Sequence, residues 1–547
     1  MHKLLPKQTD SMFTRDGVRL DADIYRPDAE GEFPVLLMRQ PYGREIASTV
    51  VYAHPSWYAA QGYIVVIQDV RGRGTSEGEF QVFVNEIADG QDTINWAATL
   101  SGSNGNVGMY GFSYQGMTQL YAAAAKPPAL KTICPAMVGY DLYTDWAYEG
   151  GAFCLQSNLS WALQLDAENA RLRRDEATYH ALKAAAQNLP LCDRTPACPE
   201  ILTNLAPNSF YHDWLTHSQP DEYWQKLSPQ QYLQDVDLPM FHIGGWFDTF
   251  LRGTMRLYQD MAQRSLNRQQ LLVGPWTHIP WGQKAGAVDF GASASSPVDE
   301  MQIQWFDYFL KGIDNGLSDE PSIYLFEMGG DRWTYFPKLQ ISDQKTYFLS
   351  SNGLASIRED AGSLIEHLHS QIPDAVDVIV HDPWRPVPSL GGHVAIPAGS
   401  FERSSIDCRS DVLTYTSEPL TEDLHLAGEV VVEVWCSADK PSFDLCGVLS
   451  VVYPDGQVFN LTQGYMRVNS PQTPLRLTLQ YTCAKISKYN ALRLSLSAAC
   501  FPAYLMNCGT GAVLGSDKLM EAQIITVTIN SGGDCSSKVL LPIVPQT

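Results

Sequence analysis

The stretch V-G-M-Y-G-F-S-Y-Q-G (107–116) decides the fold, because it combines a short apolar strand, a sharp turn and the start of a helix. This context is typical of a nucleophile elbow, in which a serine hydroxyl stands above the edge of a parallel sheet. The usual elbow reads G-x-S-x-G, whereas here Gly116 comes one residue late and Gln115 occupies its place. Gly111 is expected to relieve crowding at the turn, and Gly116 to let the helix pack close to the strand. Ser113 is therefore a candidate nucleophile, and an ordinary helix-capping serine is the alternative that this stretch leaves open.

Continuous apolar runs alternate with helical patterns on both sides of this turn, from about residue 18 to 280. The runs are F-P-V-L-L-M (33–38), Y-I-V-V-I-Q (63–68), L-K-T-I-C (130–134), M-F-H-I-G (240–244) and Q-L-L-V-G (270–274). Runs that are apolar throughout are typical of strands buried on both faces. Their alternation with helical patterns at 86–100 and 114–125 predicts an α/β fold with a parallel sheet.

Two further regions differ from this pattern, as expected for a chain of 547 residues, since a single core stops growing at roughly 250–300 residues. Residues 141–235 carry helical patterns rich in alanine, leucine and aromatics, and they are predicted to form a cap over the sheet domain. The sheet domain itself is assigned to 1–140 and 236–318. Short strands separated by turn residues across 319–547 predict a β-sandwich of the jelly-roll type.

The composition argues against several kinds of partner. Acidic residues number 60 against 38 lysines and arginines, and the formal net charge of -22 would repel nucleic acid and anionic membranes. No segment approaches the ~18 apolar residues of a membrane span, and the N-terminal residues lack a signal-peptide pattern, so a cytoplasmic protein is expected. Cys192 and Cys198 are close enough in sequence for a loop disulfide, but free thiols are the expected state of all eleven cysteines.

A nucleophilic serine needs a base and a group that orients the base, and candidates for both lie downstream. Asp248 follows one apolar run in I-G-G-W-F-D (243–248), and His278 follows the next in L-L-V-G-P-W-T-H (271–278). Taken singly, the aspartate fits a helix cap and the histidine an ordinary loop residue. Together with the serine, however, they stand in the order Ser, Asp, His of an α/β-hydrolase, at strand ends where open parallel sheets bind ligands. His54 is the main rival histidine, and it precedes the serine, against this order.

With these residues in place, the chain closely resembles the cocaine esterase and X-Pro dipeptidyl-peptidase family of serine hydrolases, whose elbow reads G-x-S-Y-x-G. The motifs that carry the resemblance are R-Q-P-Y-G-R (39–44), Q-D-V-R-G-R-G-T-S-E-G-E-F (68–80), Y-G-F-S-Y-Q-G (110–116), G-G-W-F-D (244–248), G-P-W-T-H (274–278), W-F-D-Y-F-L-K-G (305–312) and D-P-W-R-P-V-P-S-L-G-G (382–392). They stand in family order over nearly the whole chain. The resemblance implies an α/β-hydrolase sheet domain with a helical cap insertion and a C-terminal, galactose-binding-like jelly roll.

The resemblance also implies roles for individual residues. Ser113 would attack the substrate carbonyl, His278 would act as general base and then as general acid, and Asp248 would hold the imidazole. The oxyanion hole would combine the Tyr42 hydroxyl with the backbone N–H of Tyr114, and a donor of this kind can contribute about 10²–10³ in rate. A core aromatic with no part in the chemistry is the alternative for the first of these tyrosines.

The motif at 68–80 is rich in glycine and arginine, which invites comparison with phosphate-binding loops. It has neither G-K-[ST] nor the spacing of a dinucleotide site, so that interpretation is weak. By the family resemblance it is a structural loop beside the elbow. We expect Asp69 and Arg71 to bond to one another or to the backbone.

Three aromatic residues are candidates for the substrate pocket. Trp146, Trp161 and Phe250 match positions at which cocaine-esterase-like members contact an aromatic acyl group, although each fits equally well as packing for the cap helices. The α-amino acid ester hydrolases of the family bind an ammonium group with carboxylates that closely follow the catalytic aspartate, where this chain has T-F-L. Only Asp145 and Glu149 supply acids nearby, which makes such a clamp doubtful.

We therefore predict a serine hydrolase (EC 3.1 or 3.4) that cleaves an ester or amide through a covalent acyl-enzyme, with a carboxylesterase favoured. An aminopeptidase, amidase or acyltransferase acting on a peptide-like metabolite stays open, and a noncatalytic carbohydrate- or partner-binding protein is the alternative of a different class. The expected partner is a small-molecule ester, amide or peptide-like substrate. No metal or organic cofactor is needed, no nucleic acid or membrane is expected as a partner, and homo-oligomer formation stays open.

Overall fold

The computed structural model describes residues 1–45, 47–193, 195–339, 343–367, 375–469 and 474–544. The strands of its first sheet are, in chain order, β1 (Gln8–Phe13), β2 (Arg19–Tyr25), β3 (Phe33–Gln40), β4 (Ile64–Asp69), β5 (Ser103–Phe112), β6 (Leu130–Ala136), β7 (Met240–Phe247), β8 (Gln269–Thr277), β9 (Ile323–Glu327) and β10 (Arg332–Phe336). They lie in the order β1-β2-β4-β3-β5-β6-β7-β8-β9-β10. Neighbours from β4 through to β9 pair in parallel, and the pairs at both edges of the sheet are antiparallel.

Helices connect these strands and cover both faces of the sheet. The α-helices are, in chain order, α1 (Pro55–Ala60), α2 (Glu86–Ala98), α3 (Tyr114–Ala124), α4 (Leu155–Leu172), α5 (Glu176–Gln187), α6 (Glu200–Leu205), α7 (Phe210–Thr216), α8 (Glu222–Leu227), α9 (Leu251–Arg264), α10 (Val298–Lys311) and α11 (Ser404–Asp407). Among the residues that the structure describes, every helix is too short or too polar to cross a membrane.

Burial on both faces explains why the strands are apolar without alternation. Successive side chains of a strand point to opposite faces. In β3, Val35 and Leu37 belong to a core that includes residues of α2, α3 and the cap, whereas Leu36 and Met38 belong to a second core with residues of α1 and α10. The prediction of an α/β domain with a parallel sheet is therefore confirmed.

Helices α4 to α8 lie between β6 and β7 and form the cap. Leu159 and Leu163 of α4 and Trp214 of α7 are buried in the same core as the sheet residues beneath them. The cap therefore shares its core with the sheet domain. The ring of Trp161 in α4 lies 6.5 Å from that of Tyr114, the first residue of α3, so the cap reaches the segment that follows β5.

A second sheet forms the C-terminal domain, as predicted for a jelly roll. Its strands are Asp343–Ser351, Gly362–Ile365, Ala375–His381, Val412–Ser417, Leu424–Gly428, Val431–Ala438, Phe443–Val452, Val458–Val468, Leu475–Thr478, Thr482–Ile486, Ala491–Ser497, Ile525–Ser531 and Lys538–Ile543. Most of them pair in antiparallel fashion. Their apolar side chains pack with part of the first sheet and form a third core.

The hairpin of β9 and β10 belongs to the first sheet, because Ile323 pairs in parallel with Leu271 of β8. The predicted boundary between 318 and 319 thus precedes two strands that extend the hydrolase sheet. The division into domains stays a prediction, as do the limits of the cap. All eleven cysteines, Cys192 and Cys198 among them, are free thiols.

Candidate active site

Ser113 lies in the turn between β5 and α3. Its φ of 59° and ψ of -128° fall in a region that residues other than glycine rarely occupy. The Ser113 N–H donates to the carbonyl of Ala136 at 2.9 Å, which ties the turn to β6. The backbone of this serine is therefore held in the strained strand–turn–helix geometry that raises a side chain above the sheet edge.

Gly111 and Gly116 make this tight turn sterically feasible. A Cβ atom on Gly111, where φ is 139°, would lie 2.5 Å from the Cβ of Gln115. A Cβ on Gly116 would lie 2.4 Å from Cγ1 of Val138 and 2.8 Å from the carbonyl of Ala136. Both glycines meet the expectation from sequence: the first frees the turn, and the second lets α3 pack directly on the chain that continues from β6.

His278 and Asp248 form a close pair at the ends of β8 and β7. The distance from Nδ1 of His278 to Oδ1 of Asp248 is 2.7 Å, with the aspartate side chain fully buried and the histidine side chain 30% exposed. The other oxygen of Asp248 accepts the N–H of Phe250 at 3.1 Å. Because a carboxylate only accepts hydrogen bonds, Nδ1 of the histidine is the donor and Nε2 remains as its basic nitrogen.

The imidazole of His278 lies beside the elbow. Its ring centroid is 5.3 Å from that of Phe112, the residue directly before Ser113. The ring of Phe250 packs against it from another side at 5.1 Å. The structure therefore gathers Ser113, His278 and Asp248 at one edge of the sheet, in the order predicted from the sequence.

Tyr42 follows β3 and also lies at the elbow. Its hydroxyl is hydrogen-bonded to Ser113 and accepts the indole N–H of Trp161 at 3.2 Å. Although 40% of the residue's surface is exposed, removal of the hydroxyl from water raises the pKa of Tyr42 to about 12, against a smaller opposing effect of these two hydrogen bonds. The phenol therefore stays protonated near neutral pH and is available as a donor.

Asp69, the last residue of β4, anchors the segment that carries Tyr42. Its carboxylate accepts the backbone N–H of Arg44 at 2.8 Å, the Arg44 guanidinium at 2.5 Å and the Gln40 amide at 3.1 Å. The Gln40 side chain in turn accepts the N–H of Tyr42 at 2.9 Å. A buried carboxylate thus fixes both flanks of the tyrosine.

The expected bond between Asp69 and Arg71 is replaced by other partners. Arg71 forms ion pairs with Asp16 at 2.8 Å and with Asp89 at 2.7 Å. Asp69 takes the second option that the sequence left open, since one of its bonds is to the backbone. Arginine and aspartate are common in this part of the chain, so spacing alone did not reveal which of them would pair.

Tyr114 is the first residue of α3, directly after Ser113. The first N–H groups of a helix have no acceptor within the helix, so the N–H of Tyr114 is available as a donor beside Ser113. Its side chain points away from the site: the hydroxyl donates to Glu86 at 2.8 Å, and the ring stacks on Phe83 at 4.7 Å. Only the backbone of Tyr114 is thus placed to serve the reaction.

The three predicted pocket residues lie together. Trp146 belongs to a π-helical turn (Tyr143–Ala147). Its ring centroid lies 4.0 Å from that of Phe250 and 5.3 Å from that of Trp161. Phe83, which sequence reasoning missed, completes the group at 5.3 Å from Trp146. It has a left-handed φ of 65°, a feature that no local sequence signal indicates.

The two acids near the pocket are neutralised by arginines. Asp145 pairs with Arg256 at 2.7 Å, and Glu149 pairs with Arg252 at 2.6 Å. Burial on its own would raise the pKa of Glu149, but Arg252 and then His393 outweigh it and lower that pKa to about 2. The charge of each carboxylate is therefore balanced by an arginine of the protein itself.

Gln480 of the jelly roll also reaches the site, and sequence reasoning missed it. Its side-chain amide donates to the carbonyl of Asp248 at 3.0 Å and to that of Trp246 at 3.3 Å. The residue is almost completely buried. The C-terminal domain thus contacts the backbone that carries the aspartate of the site.

Among the described residues, no group of three or more histidines, cysteines, aspartates or glutamates is arranged to hold a metal ion. The chemistry that the site offers is that of a hydroxyl, an imidazole and a carboxylate, with hydrogen-bond donors from Tyr42 and from the start of α3.

Comparison with known proteins identifies the family of the chain. Residues 16–280 match the model of the X-Pro dipeptidyl-peptidase (S15 family), and residues 315–533 match the model of the X-Pro dipeptidyl-peptidase C-terminal non-catalytic domain. Cocaine esterase from Rhodococcus sp. (strain MB1 Bresler) is 31% identical over an aligned length of 569 residues, and the alignment covers 97% of each chain. A putative Xaa-Pro dipeptidyl-peptidase from Bacillus anthracis is 21% identical over 494 residues, covering 83% of this chain and 73% of that one.

Solved structures share the fold over almost the whole chain. An aminopeptidase from the marine sediment archaeon Thaumarchaeota archaeon has a TM-score of 0.83 at 22% identity, covering 99% of this chain and 96% of that one. An α-amino acid ester hydrolase has a TM-score of 0.80 at 22% identity, covering 99% and 97%. The chain belongs to the cocaine esterase and X-Pro dipeptidyl-peptidase family, and it is a serine hydrolase.

Proposed function

We propose that the protein is a carboxylesterase that transfers an acyl group, preferably an aromatic one, from a small-molecule ester to Ser113 and then to water. The observation that carries this proposal is the convergence at one sheet edge of a strained serine, the His278–Asp248 pair and the Tyr42 hydroxyl. Each of these groups is held by the fold rather than by a flexible terminus. The arrangement supplies a nucleophile, a base and an oxyanion donor.

In the acylation step, the Ser113 oxygen attacks the ester carbonyl while Nε2 of His278 takes the hydroxyl proton. Asp248 stabilises the imidazolium that forms, through the 2.7 Å bond to Nδ1. The carbonyl oxygen becomes negative and accepts hydrogen bonds from the Tyr42 hydroxyl and the Tyr114 N–H. Collapse of the tetrahedral intermediate breaks the bond to the alcohol, which leaves with the proton from His278.

Deacylation repeats these steps with water as the nucleophile. His278 accepts a proton from the water, which attacks the acyl carbon, and the same two donors receive the developing charge. The second intermediate releases the carboxylic acid and returns the proton to Ser113. An amine or alcohol that replaced water here would make the same site an acyltransferase.

The aromatic cluster supports an aromatic acyl group. The ring of Phe250 lies 5.1 Å from that of His278, and the ring of Trp146 packs on Phe250 at 4.0 Å, so apolar side chains lie close to the reacting centre. Flat apolar surfaces favour a ring through offset or edge contacts. The neutralisation of Asp145 and Glu149 by arginines weighs against substrates that need a carboxylate clamp for a free ammonium group.

Labelling and substrate comparison test the proposal. A fluorophosphonate should modify Ser113 in the folded protein, fail with heat-unfolded protein, and fail with the Ser113→Ala variant, which should also lose turnover of p-nitrophenyl esters. Hydrolysis of p-nitrophenyl benzoate should exceed that of p-nitrophenyl butyrate by about tenfold in kcat/KM, the discrimination expected of an apolar pocket. Undiminished turnover by Ser113→Ala would overturn the proposed mechanism, and a preference for butyrate, or for alanine p-nitroanilide, would overturn the proposed substrate class.

A further inference from the structure

We infer that Trp161 is a positioning residue for the oxyanion donor Tyr42, so that the wall of the acyl pocket and the oxyanion hole form one hydrogen-bonded unit. This inference rests on the proposed function, because it concerns how the same site stabilises its transition state. It assigns the indole N–H a role that is separate from any contact of the indole ring with substrate.

The hydrogen-bonding capacity of the two side chains restricts the direction of the Tyr42 hydroxyl. An indole N–H can only donate, whereas a phenol oxygen has one hydrogen and two lone pairs. Nε1 of Trp161 donates to the Tyr42 oxygen at 3.2 Å and so occupies one of those lone pairs. The phenol hydrogen must then point away from the indole, and the other hydrogen-bond partner of this hydroxyl is Ser113, beside whose Oγ the oxyanion will form.

Trp161 is itself held in place by the helix that carries it. One turn further along α4, the carbonyl of Leu165 accepts Nη1 of Arg73 at 3.2 Å. Arg73 is fully buried, and its guanidinium lies 3.8 Å above the ring of Phe80. The indole of Trp161 also packs edge-on against Phe210 at 5.0 Å. The donor is therefore fixed before substrate binds, which is the condition for electrostatic preorganisation.

The Tyr42 residue is 40% exposed, although its hydroxyl is removed from water. A phenol in that position keeps several hydroxyl orientations unless a partner selects one. Loss of the selecting bond should cost less than loss of the donor itself, which is worth about 10²–10³ in rate. We expect about a tenfold loss of kcat from removal of the indole N–H.

A double-mutant cycle on p-nitrophenyl benzoate hydrolysis tests the coupling. Trp161→Phe keeps an aromatic ring and removes the N–H, and it should lower kcat about tenfold with little change in KM. In a Tyr42→Phe background the same substitution should cost about twofold or less, because the hydroxyl that it orients is gone. Trp146→Phe is the matched control: it removes an indole from the same cluster without contact to that hydroxyl, and its cost should be the same in both backgrounds.

Equal cost of Trp161→Phe in both backgrounds, or a rise in KM with kcat unchanged, would overturn the inference and leave Trp161 as a pocket wall. A Tyr42→Phe protein with full kcat would overturn it as well. These outcomes differ from failure of the proposed function, which would appear as activity retained by Ser113→Ala.

A spectroscopic measurement covers the case in which Trp161→Phe does not fold. In protein labelled with ¹⁵N-tryptophan, Tyr42→Phe should shift one indole N–H resonance, since the acceptor of that N–H is removed while the ring stays. Full retention of all indole resonances in Tyr42→Phe would overturn the hydrogen bond on which the inference depends.

Discussion

Two carboxylate–histidine pairs with almost the same N···O distance lie in different parts of the molecule. In the site, Asp248 and His278 are 2.7 Å apart, and between the cap and the jelly roll Glu149 and His393 are 2.8 Å apart. Their surroundings differ. The His278 side chain is 30% exposed, whereas that of His393 is 2% exposed and shares its carboxylate with Arg252 at 2.6 Å.

The difference shows that a carboxylate–histidine contact does not by itself indicate catalysis. The Nε2 atom of His278 does not bind Asp248, and the ring lies beside the serine elbow and is partly exposed. This nitrogen can therefore accept and release a proton. At the second pair, the arginine supplies a permanent charge, and Tyr504 donates to the same carboxylate at 2.6 Å. That network joins three segments of the fold, and we expect its loss to affect stability rather than chemistry.

The largest expected effect is on kcat at the first pair. Asp248→Asn should lower kcat about 10³–10⁴-fold, because the amide would donate to Nδ1 and impose the wrong tautomer on His278. The thermal unfolding midpoint should change little, and steady-state kinetics on p-nitrophenyl benzoate will measure kcat. Asp235→Asn, at a side chain that is 88% exposed, is the control and should behave as the unmodified protein. A loss of less than about tenfold in Asp248→Asn would remove the distinction between the two pairs.

The second pair should give the complementary result. Glu149→Gln should reduce the free energy of unfolding by about 3–5 kcal/mol at pH 7, since it leaves Arg252 buried without its counter-charge. The folded-state pKa of Glu149, about 2, lies below its ordinary value of 4.5. Its contribution is therefore complete above about pH 5 and is lost as pH falls towards 2.

Urea unfolding at a series of pH values measures this dependence. The difference between the unmodified protein and Glu149→Gln should shrink as pH falls from 5 to 2, as far as both proteins remain folded. Glu222→Gln, at a side chain that is 87% exposed, should show no such trend. A difference that stays constant with pH would contradict the assigned role of the Glu149 charge.

The residues of the site that could be predicted from sequence share one property: each follows a strand that is itself recognisable. Ser113, Asp248 and His278 all stand directly after apolar runs, so the local pattern predicts that they lie at the same sheet edge. Tyr42, Trp146 and Trp161 required the family resemblance, because nothing in their immediate sequence separates them from ordinary core aromatics.

What sequence reasoning missed depends on contacts between distant parts of the chain. Gln480 lies 232 positions from the carbonyl that it binds, and Phe83 adopts a backbone conformation that its neighbours do not signal. The hairpin of β9 and β10 pairs with β8 of the first sheet, and a short strand looks the same in sequence whichever sheet it joins. Contacts of this kind depend on the assembled fold, so the local periodicity of hydrophobic residues does not predict them.

The smallest expected effect concerns the contribution of the jelly roll to the first pair. Gln480→Leu keeps a similar volume and removes the amide that binds the carbonyls of Trp246 and Asp248. The backbone of the loop that carries Asp248 is then less constrained. We expect kcat to fall about threefold to tenfold with KM nearly unchanged, because a small displacement of a positioned group weakens the transition state. In an Asp248→Asn background the further loss should vanish, since the carboxylate that the loop positions is absent.

Gln457→Leu, at an exposed turn of the same domain, is the control and should leave kcat unaltered. A Gln480→Leu protein with full kcat, or with the same loss in both backgrounds, would mean that the C-terminal domain stabilises the fold without tuning Asp248, and the two pairs would then differ only by their immediate neighbours.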